Sequence, residues 1–323
     1  MNRLERLTRF VIITIGFVVV SLPLATSVQT PLIHASVAES GGWSPDVFHA
    51  IVGEPLYLRF ISDDVMHGFA VGQMEMQPVI LEPGKVSETT LTFNKPGRYT
   101  FYCTRWCGVN HWRMRGTIEV TGVSSDPQPV TQPLYLSLSL DIDSPHPSAS
   151  VPLRNPSVMR GEELLPRLTD LSIYLSTDYY RSHSPVQAFQ DLSTKGFTVS
   201  QRWDIVAAIW LRNATPVGLA EGERLYTQNC AACHGETGAG NGVFADDLRA
   251  AGNASMQKMH GDVAMQSPAD FTRHDLLGAS PALLMGKILR GGMGTGMPMW
   301  GNILTEEQLW NLVEYLYNFQ FEQ

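Results

Sequence analysis

The stretch Cys103-Thr-Arg-Trp-Cys107-Gly-Val-Asn-His111-Trp-Arg-Met114 places two thiols, an imidazole and a thioether within twelve residues. Soft sulfur beside imidazole selects copper, zinc or iron over magnesium or calcium, so the stretch reads as a metal loop. A mononuclear copper site with one Cys, two His and a weak axial Met has no use for the second cysteine. Two thiolates can instead bridge two metals, and a second imidazole must then come from elsewhere. Asp64-Val-Met-His67-Gly-Phe-Ala70 supplies one at the end of a strand-like run. The alternative for Cys103 and Cys107 is a disulfide in an exported domain. A disulfide requires neither His111 nor Met114 at these spacings.

Around the loop, residues 45–122 form short alternating segments such as Leu56-Tyr-Leu-Arg-Phe-Ile61, Val86-Ser-Glu-Thr-Thr-Leu-Thr-Phe93 and Thr117-Ile-Glu-Val-Thr121. Gly, Pro and Asn/Asp punctuate them, which predicts an all-β sandwich or small barrel. The Pro96-Gly97 turn feeds Arg98-Tyr-Thr-Phe-Tyr-Cys103, so the loop leaves the end of a strand and a rigid sheet fixes its ends. These residues resemble the dinuclear copper (CuA) domain of subunit II of haem-copper oxidases and of nitrous oxide reductase. The resemblance implies a cupredoxin sandwich with the coppers on Cys103, Cys107, His67, His111, Met114 and the main-chain carbonyl of Arg105. Many oxidases have Glu where this chain has Arg105. The copper bond uses the main chain and survives that change, whereas a magnesium site built on the carboxylate does not.

A chain of 323 residues is long enough for two or three domains. Its net charge of −8 argues against nucleic acid as a partner. From Val217 onward there are 12 acidic and 6 basic residues, a net of −6, which could steer a basic redox partner. The four cysteines fall into two pairs, Cys103/Cys107 and Cys230/Cys233. Each pair has a cofactor reading, which fits a redox protein better than a disulfide scaffold.

At the N-terminus, Arg3, Arg6 and Arg9 precede the nineteen uncharged residues Phe10–Val28. That run is near the ~20 residues needed to span a bilayer, and the basic flank places everything after it outside. Residues 1–28 therefore read as a transmembrane helix of a single-pass protein whose domains face the periplasmic or extracellular side of the cell membrane. A cleaved signal peptide ending near Ala25-Thr-Ser27 is the alternative.

Residues 217–323 carry a second centre. Cys230-Ala-Ala-Cys233-His234 is the c-type haem attachment signature, in which two thiols bond the vinyl groups and the His binds iron. Zinc binding or thioredoxin-like use of the two cysteines is the alternative. In Gly222-Glu-Arg-Leu-Tyr226, a small and an aromatic residue one helical turn apart allow close approach to the C-terminal helix of Trp310 and Leu316. Gly291-Gly-Met-Gly-Thr-Gly-Met297-Pro298-Met299-Trp300 resembles the distal loop of class I cytochromes c, which implies Met297 as the sixth iron ligand. Met293, Met299, His260 and His274 are its competitors.

Between the two domains, residues 123–216 are expected to form a linker, because 123–160 are rich in Pro and Ser. Within it Phe197–Asn213 aligns without gaps on Leu304–Gln320, with Ser184-Pro185 and Ser280-Pro281 upstream of the two copies. Residues 161–213 therefore read as a haem-less cytochrome-like unit. Chance likeness of two similarly capped amphipathic helices is the alternative.

Anchor, copper domain and all-α cytochrome c domain in that order resemble subunit II of cytochrome c oxidases with a fused cytochrome c. The resemblance implies a non-catalytic electron-input subunit carrying covalently bound haem c and CuA. Its partners would be a soluble cytochrome c or cupredoxin donor and a haem-copper catalytic subunit in the membrane. A single anchor, where many such subunits have two, is a departure shared with the B-type oxidases. The corresponding subunit of a copper-containing nitric oxide reductase, and a free-standing exported electron carrier, are the alternatives.

Overall fold

The computed structural model describes residues 32–74, 76–105, 107–108, 111–123, 132–248, 267–292 and 297–322, without the side chain of Trp112. No helix among the described residues is long and apolar enough to cross a membrane. The anchor expected over residues 1–28 lies outside the described residues, as do Met293 and His260.

The first domain is a sandwich of two sheets. Strands β1 (Leu32–Ala35), β2 (Trp43–Ser44), β4 (Pro55–Ser62) and β7 (Val86–Thr92) form one sheet in the order β2-β1-β4-β7. Strands β3 (Val47–Ile51), β5 (His67–Val71), β6 (Val79–Leu81), β8 (Gly97–Cys103) and β9 (Arg115–Thr121) form the other in the order β3-β9-β8-β5-β6. Alternation in the sequence sets which face is buried: Phe48 and Ala50 turn inward while Val47 and Ile51 face out. Trp43, Phe60, Phe69 and Phe101 meet between the sheets, with ring centroids 4.5–6.2 Å apart. An aromatic cluster of this kind ties the two layers together.

The rest of the described chain is helical and shares one core that runs from Ile142 to Phe321. Its helices are α1 (Leu134–Ser137), α2 (Val158–Glu162), α3 (Leu171–Tyr174), α4 (Thr177–Ser182), α5 (Pro185–Asp191), α6 (Val199–Asn213), α7 (Pro216–Asn229), α8 (Ala231–His234), α9 (Pro281–Arg290) and α10 (Glu306–Leu316). The segment read as a linker is built into this core over its described part. Ile142 and Val158 are buried in it, the Tyr135 ring packs on Gly286 of α9, and the Val158 N–H donates to the Glu322 carbonyl at 2.9 Å.

Two helix pairs in this region have the same construction. Thr198 caps α6 with a reciprocal bond from Gln201, and Thr305 caps α10 with one from Gln308. Ser184 caps α5 and Ser280 caps α9, each with Pro at the first helical position. A β-carbon on Gly161 would collide with the carbonyl of Asp204 and lie 2.8 Å from the Ala208 β-carbon. One on Gly222 would collide with the carbonyl of Asn311 and lie 2.8 Å from the Tyr315 β-carbon. In the gap-free alignment of the two C-terminal helices, Asp204 falls on Asn311 and Ala208 on Tyr315.

The domains touch directly. Gly72 and Gln73, after β5, lie against the Trp300–Ile303 turn, where the Gln73 N–H donates to the Ile303 carbonyl at 2.8 Å and its side-chain amide to the Gly301 carbonyl at 2.7 Å.

Candidate functional site

Strands β5 and β8 pair antiparallel with Phe69 opposite Cys103. Side chains two residues apart share a face of a sheet, so this register brings His67 alongside Cys103 although 36 residues separate them. The loop that starts at Cys103 returns as a short turn over His111–Arg113 into β9. The Cys103 N–H donates to the Met114 carbonyl at 3.1 Å, which closes the loop between its first and last candidate ligands.

The side chains converge. The Cys103 sulfur lies 3.7 Å from His67 Nδ1, 4.0 Å from the Cys107 sulfur and 3.1 Å from the Arg105 carbonyl oxygen. The Cys107 sulfur lies 3.3 Å from His111 Nδ1 and 3.2 Å from the Met114 sulfur. His67, Cys103 and Cys107 form a buried group of donors within 4.8 Å of one another. Both cysteines are free, and at 4.0 Å their sulfurs are far beyond the ~2.05 Å of a disulfide.

Electrostatics favour a cation here. The hydrogen bond from Cys107, followed by those from His111 and His67, drives the Cys103 thiol well below its usual range. The same contact with Cys103, together with burial, drives Cys107 well above it. Two buried thiolates so close are unfavourable unless positive charge enters between them. Asp64, given no role by sequence reasoning, orients the site. Its Oδ1 lies 2.8 Å from His67 Nε2, and its carboxylate also accepts from the Val37 and Val65 N–H groups at 2.7 and 2.6 Å. Burial pulls the pKa of His67 down, but the bonds to Cys103 and Asp64 outweigh it and the net shift is upward. A carboxylate on the far nitrogen fixes ring orientation and leaves Nδ1 facing the sulfurs.

On the helical side, α7 delivers Cys230 and the single turn of α8 carries Cys233 and His234. His234 Nδ1 lies 2.9 Å from the Ala269 carbonyl, so it carries the proton and leaves Nε2 as an acceptor. Its ring stacks on Phe271 at 4.6 Å. Tyr226 fixes the following turn by donating to the Gly235 carbonyl at 2.7 Å. Burial pushes the Cys230 thiol up to about 12 and raises Cys233 as well.

One cavity of about 460 Å³ joins the two sets of residues. Cys230, Cys233, His234 and Met297 line it from the helical domain, and Cys103, His111 and Met114 from the sandwich. Its size is in the ~300–1,000 Å³ range of cofactor sites, and His and Met side chains such as those of His234 and Met297 are the donors a low-spin haem iron uses. Among the competitors of Met297, Met299 has a half-exposed side chain and is not among the lining residues. His274 lies 3.5 Å from the Gln320 side chain, also off the lining. Sequence reasoning missed Tyr102, Arg115 and Trp300, which line the cavity where the domains meet. No local pattern marks them.

Comparison with known proteins agrees with this division. Residues 48–121 match the family described as cytochrome C oxidase subunit II, periplasmic domain, and residues 218–316 match cytochrome C oxidase, cbb3-type, subunit III. Cytochrome c oxidase subunit 2 of Thermus thermophilus is 37% identical over 79 residues, covering 24% of this chain and 58% of the relative. The chain spans about half the length of the curated relatives it matches. Similar solved structures include the periplasmic domain of subunit II of cytochrome oxidase from Bradyrhizobium japonicum, at 19% identity over 28% of this chain and 83% of that one, with a TM-score of 0.25. A chain of a heme-copper terminal oxidase dimer is 21% identical over 36% of this chain and 96% of its own, with a TM-score of 0.25. The chain thus joins a cytochrome c oxidase subunit II cupredoxin domain to a cytochrome c domain.

Proposed function

We propose that this protein is the electron-input subunit of a haem-copper terminal oxidase. It takes electrons from a soluble cytochrome c or cupredoxin at a covalent haem c, passes them to a dinuclear copper centre, and delivers them to a catalytic subunit in the membrane. The observation that carries this reading is the cavity shared by Cys230, Cys233, His234 and Met297 on one side and Cys103, His111 and Met114 on the other.

In this reading Cys103, Cys107, His67, His111, Met114 and the Arg105 carbonyl would hold the two coppers. Cys230 and Cys233 would hold the haem by thioether bonds, and His234 and Met297 would bind its iron. When bound, the two groups supply one-electron couples, and the His/Met pair favours a high potential. The protein's own contribution is rigidity and dryness. Cys103 and Met114 are 4% and 1% exposed, and paired strands hold both ends of the loop, which limits structural change on electron transfer. Residues 1–28 would anchor the chain in the membrane with both domains on the periplasmic or extracellular side.

Purification of the full chain from native membranes tests the proposal. The expected result is two coppers and one haem per chain, together with a many-helix haem-copper subunit and oxygen consumption. Nitric oxide turnover in place of oxygen consumption would assign the chain to a nitric oxide reductase. Recovery with no membrane partner would leave a free-standing carrier and refute the oxidase reading.

A further inference from the structure

Arg115 follows the last candidate copper ligand, Met114, and lines the cavity where the two domains meet. Its guanidinium is fixed from the haem side: Nη1 donates to the Met299 carbonyl at 3.1 Å, and the group sits over the Trp300 ring at 5.6 Å. Arg115 is half-buried, and no carboxylate among the described residues pairs with it. A half-buried guanidinium has five donors in a fixed fork and favours an anionic partner. Among the described residues, the cavity wall has a surplus of positive charge. Arg115, Lys287 and Arg290 line it against one carboxylate, Asp143, which Arg290 already engages with both nitrogens at 2.6 and 2.7 Å. The surplus of two matches the two propionates of a haem.

We propose that Arg115 of the copper domain receives a haem propionate of the cytochrome domain, making it a positioning residue that holds the haem edge against the copper loop. The inference rests on the haem and copper assignments above. Because the guanidinium is tied to Met299 and Trp300 of the haem domain and adjoins Met114 in sequence, one side chain would fix the separation of the two centres. It would also place a positive charge near the iron, which opposes the ferric state.

The test is redox titration of the purified holoprotein carrying Arg115→Gln, Arg115→Met or Arg115→Lys, with the copper absorption recorded alongside. Loss of one partly buried charge should raise the ferric-to-ferrous ratio at fixed ambient potential by about tenfold in the Gln variant. The Lys variant, which keeps the charge, should stay close to the parent, and the copper band should be unchanged in all. Arg115→Met, which keeps most of the packing volume, gives the same measurement if the Gln variant does not accumulate. An unaltered haem potential in the neutral variants would overturn the proposal, as would a copper band that moves with the haem potential. If the parent chain holds no haem or no copper pair, the functional reading fails first and takes this inference with it.

Discussion

The backbone N–H of Gln73 donates to the carbonyl of Ile303 at 2.8 Å, so the strand that begins at His67 is joined by main chain to the turn that follows Met297. The neighbouring Gly72 makes this approach possible: a β-carbon there would collide with the Asn302 carbonyl and lie 2.6 Å from the Ile303 α-carbon. Both obstacles are backbone and cannot rotate away.

Gly72→Ala should therefore part the domains without disturbing either centre. We expect a loss of about 1–3 kcal/mol, the usual cost of overpacking, seen as earlier separation of the two domains in denaturant. Electron transfer from haem to copper should slow while both absorption spectra stay as in the parent. Unchanged transfer would show that this contact does not set the separation of the centres.

The two thioethers offer a separation of roles. Met114 lies 3.2 Å from the Cys107 sulfur, whereas Met297 lines the cavity from the helical domain, as His234 does. Met114→Leu should alter copper absorption and leave the haem spectrum intact. Met297→Leu should do the reverse, with a fall in haem potential as Met ligation is lost. Both spectra changing together in either variant would refute the assignment of two independent sites.

How much of this was legible in the sequence depends on how far apart the partners are. Cys103, Cys107, His111 and Met114 sit in one loop, so their spacing alone marked them as candidate ligands. His67 was found by its local motif, but its closure on Cys103 depends on the β5–β8 register, which spacing does not express. Cys230, Cys233 and His234 were legible for the same local reason. Arg115 and Tyr102 adjoin candidate ligands in sequence, but their contacts, like those of Gly72, are made across the domain contact, which spacing does not express. The described part of the Pro- and Ser-rich segment, expected to be a linker or loop, contributes to the core through scattered residues such as Ile142 and Val158, without helical or strand periodicity that the sequence could express. The likeness of Phe197–Asn213 to Leu304–Gln320 was visible. Its packing counterpart, Gly161 against Asp204 as Gly222 is against Asn311, was not.

That counterpart predicts matched defects. Gly161→Ala and Gly222→Ala each push a β-carbon into a helix backbone that cannot yield without moving the helix. Each should cost about 2–4 kcal/mol, at the upper end for overpacking, measured by chemical unfolding of the holoprotein. Gly222→Ala should also perturb the haem spectrum, since α7 carries Cys230 at its end. Gly161→Ala should leave that spectrum unchanged. A haem defect in the Gly161 variant would show that the 161–213 unit shapes the haem pocket directly.

Glu314 gives the chain a pH dependence with a definite sign. It lies on α10 and lines a small cavity with Trp210, Leu219 and Tyr317, and its Oε2 has no hydrogen-bond partner among the described residues. Burial raises its pKa to about 7, against the weaker pull of the Thr215 backbone bond and of Arg181. A carboxyl whose folded pKa lies above its unfolded value binds more protons when folded, so stability falls as pH rises between the two values. The destabilisation is absent below the unfolded value of about 4.3 and complete above about 7. Glu314→Gln removes the ionisation, so at pH 8 the variant should be more stable than the parent by on the order of 1 kcal/mol, the side chain being partly screened by water. The difference should shrink steadily toward pH 5 in urea titrations at fixed ionic strength. A constant difference at every pH would mean that the carboxyl does not titrate in this range in the folded chain.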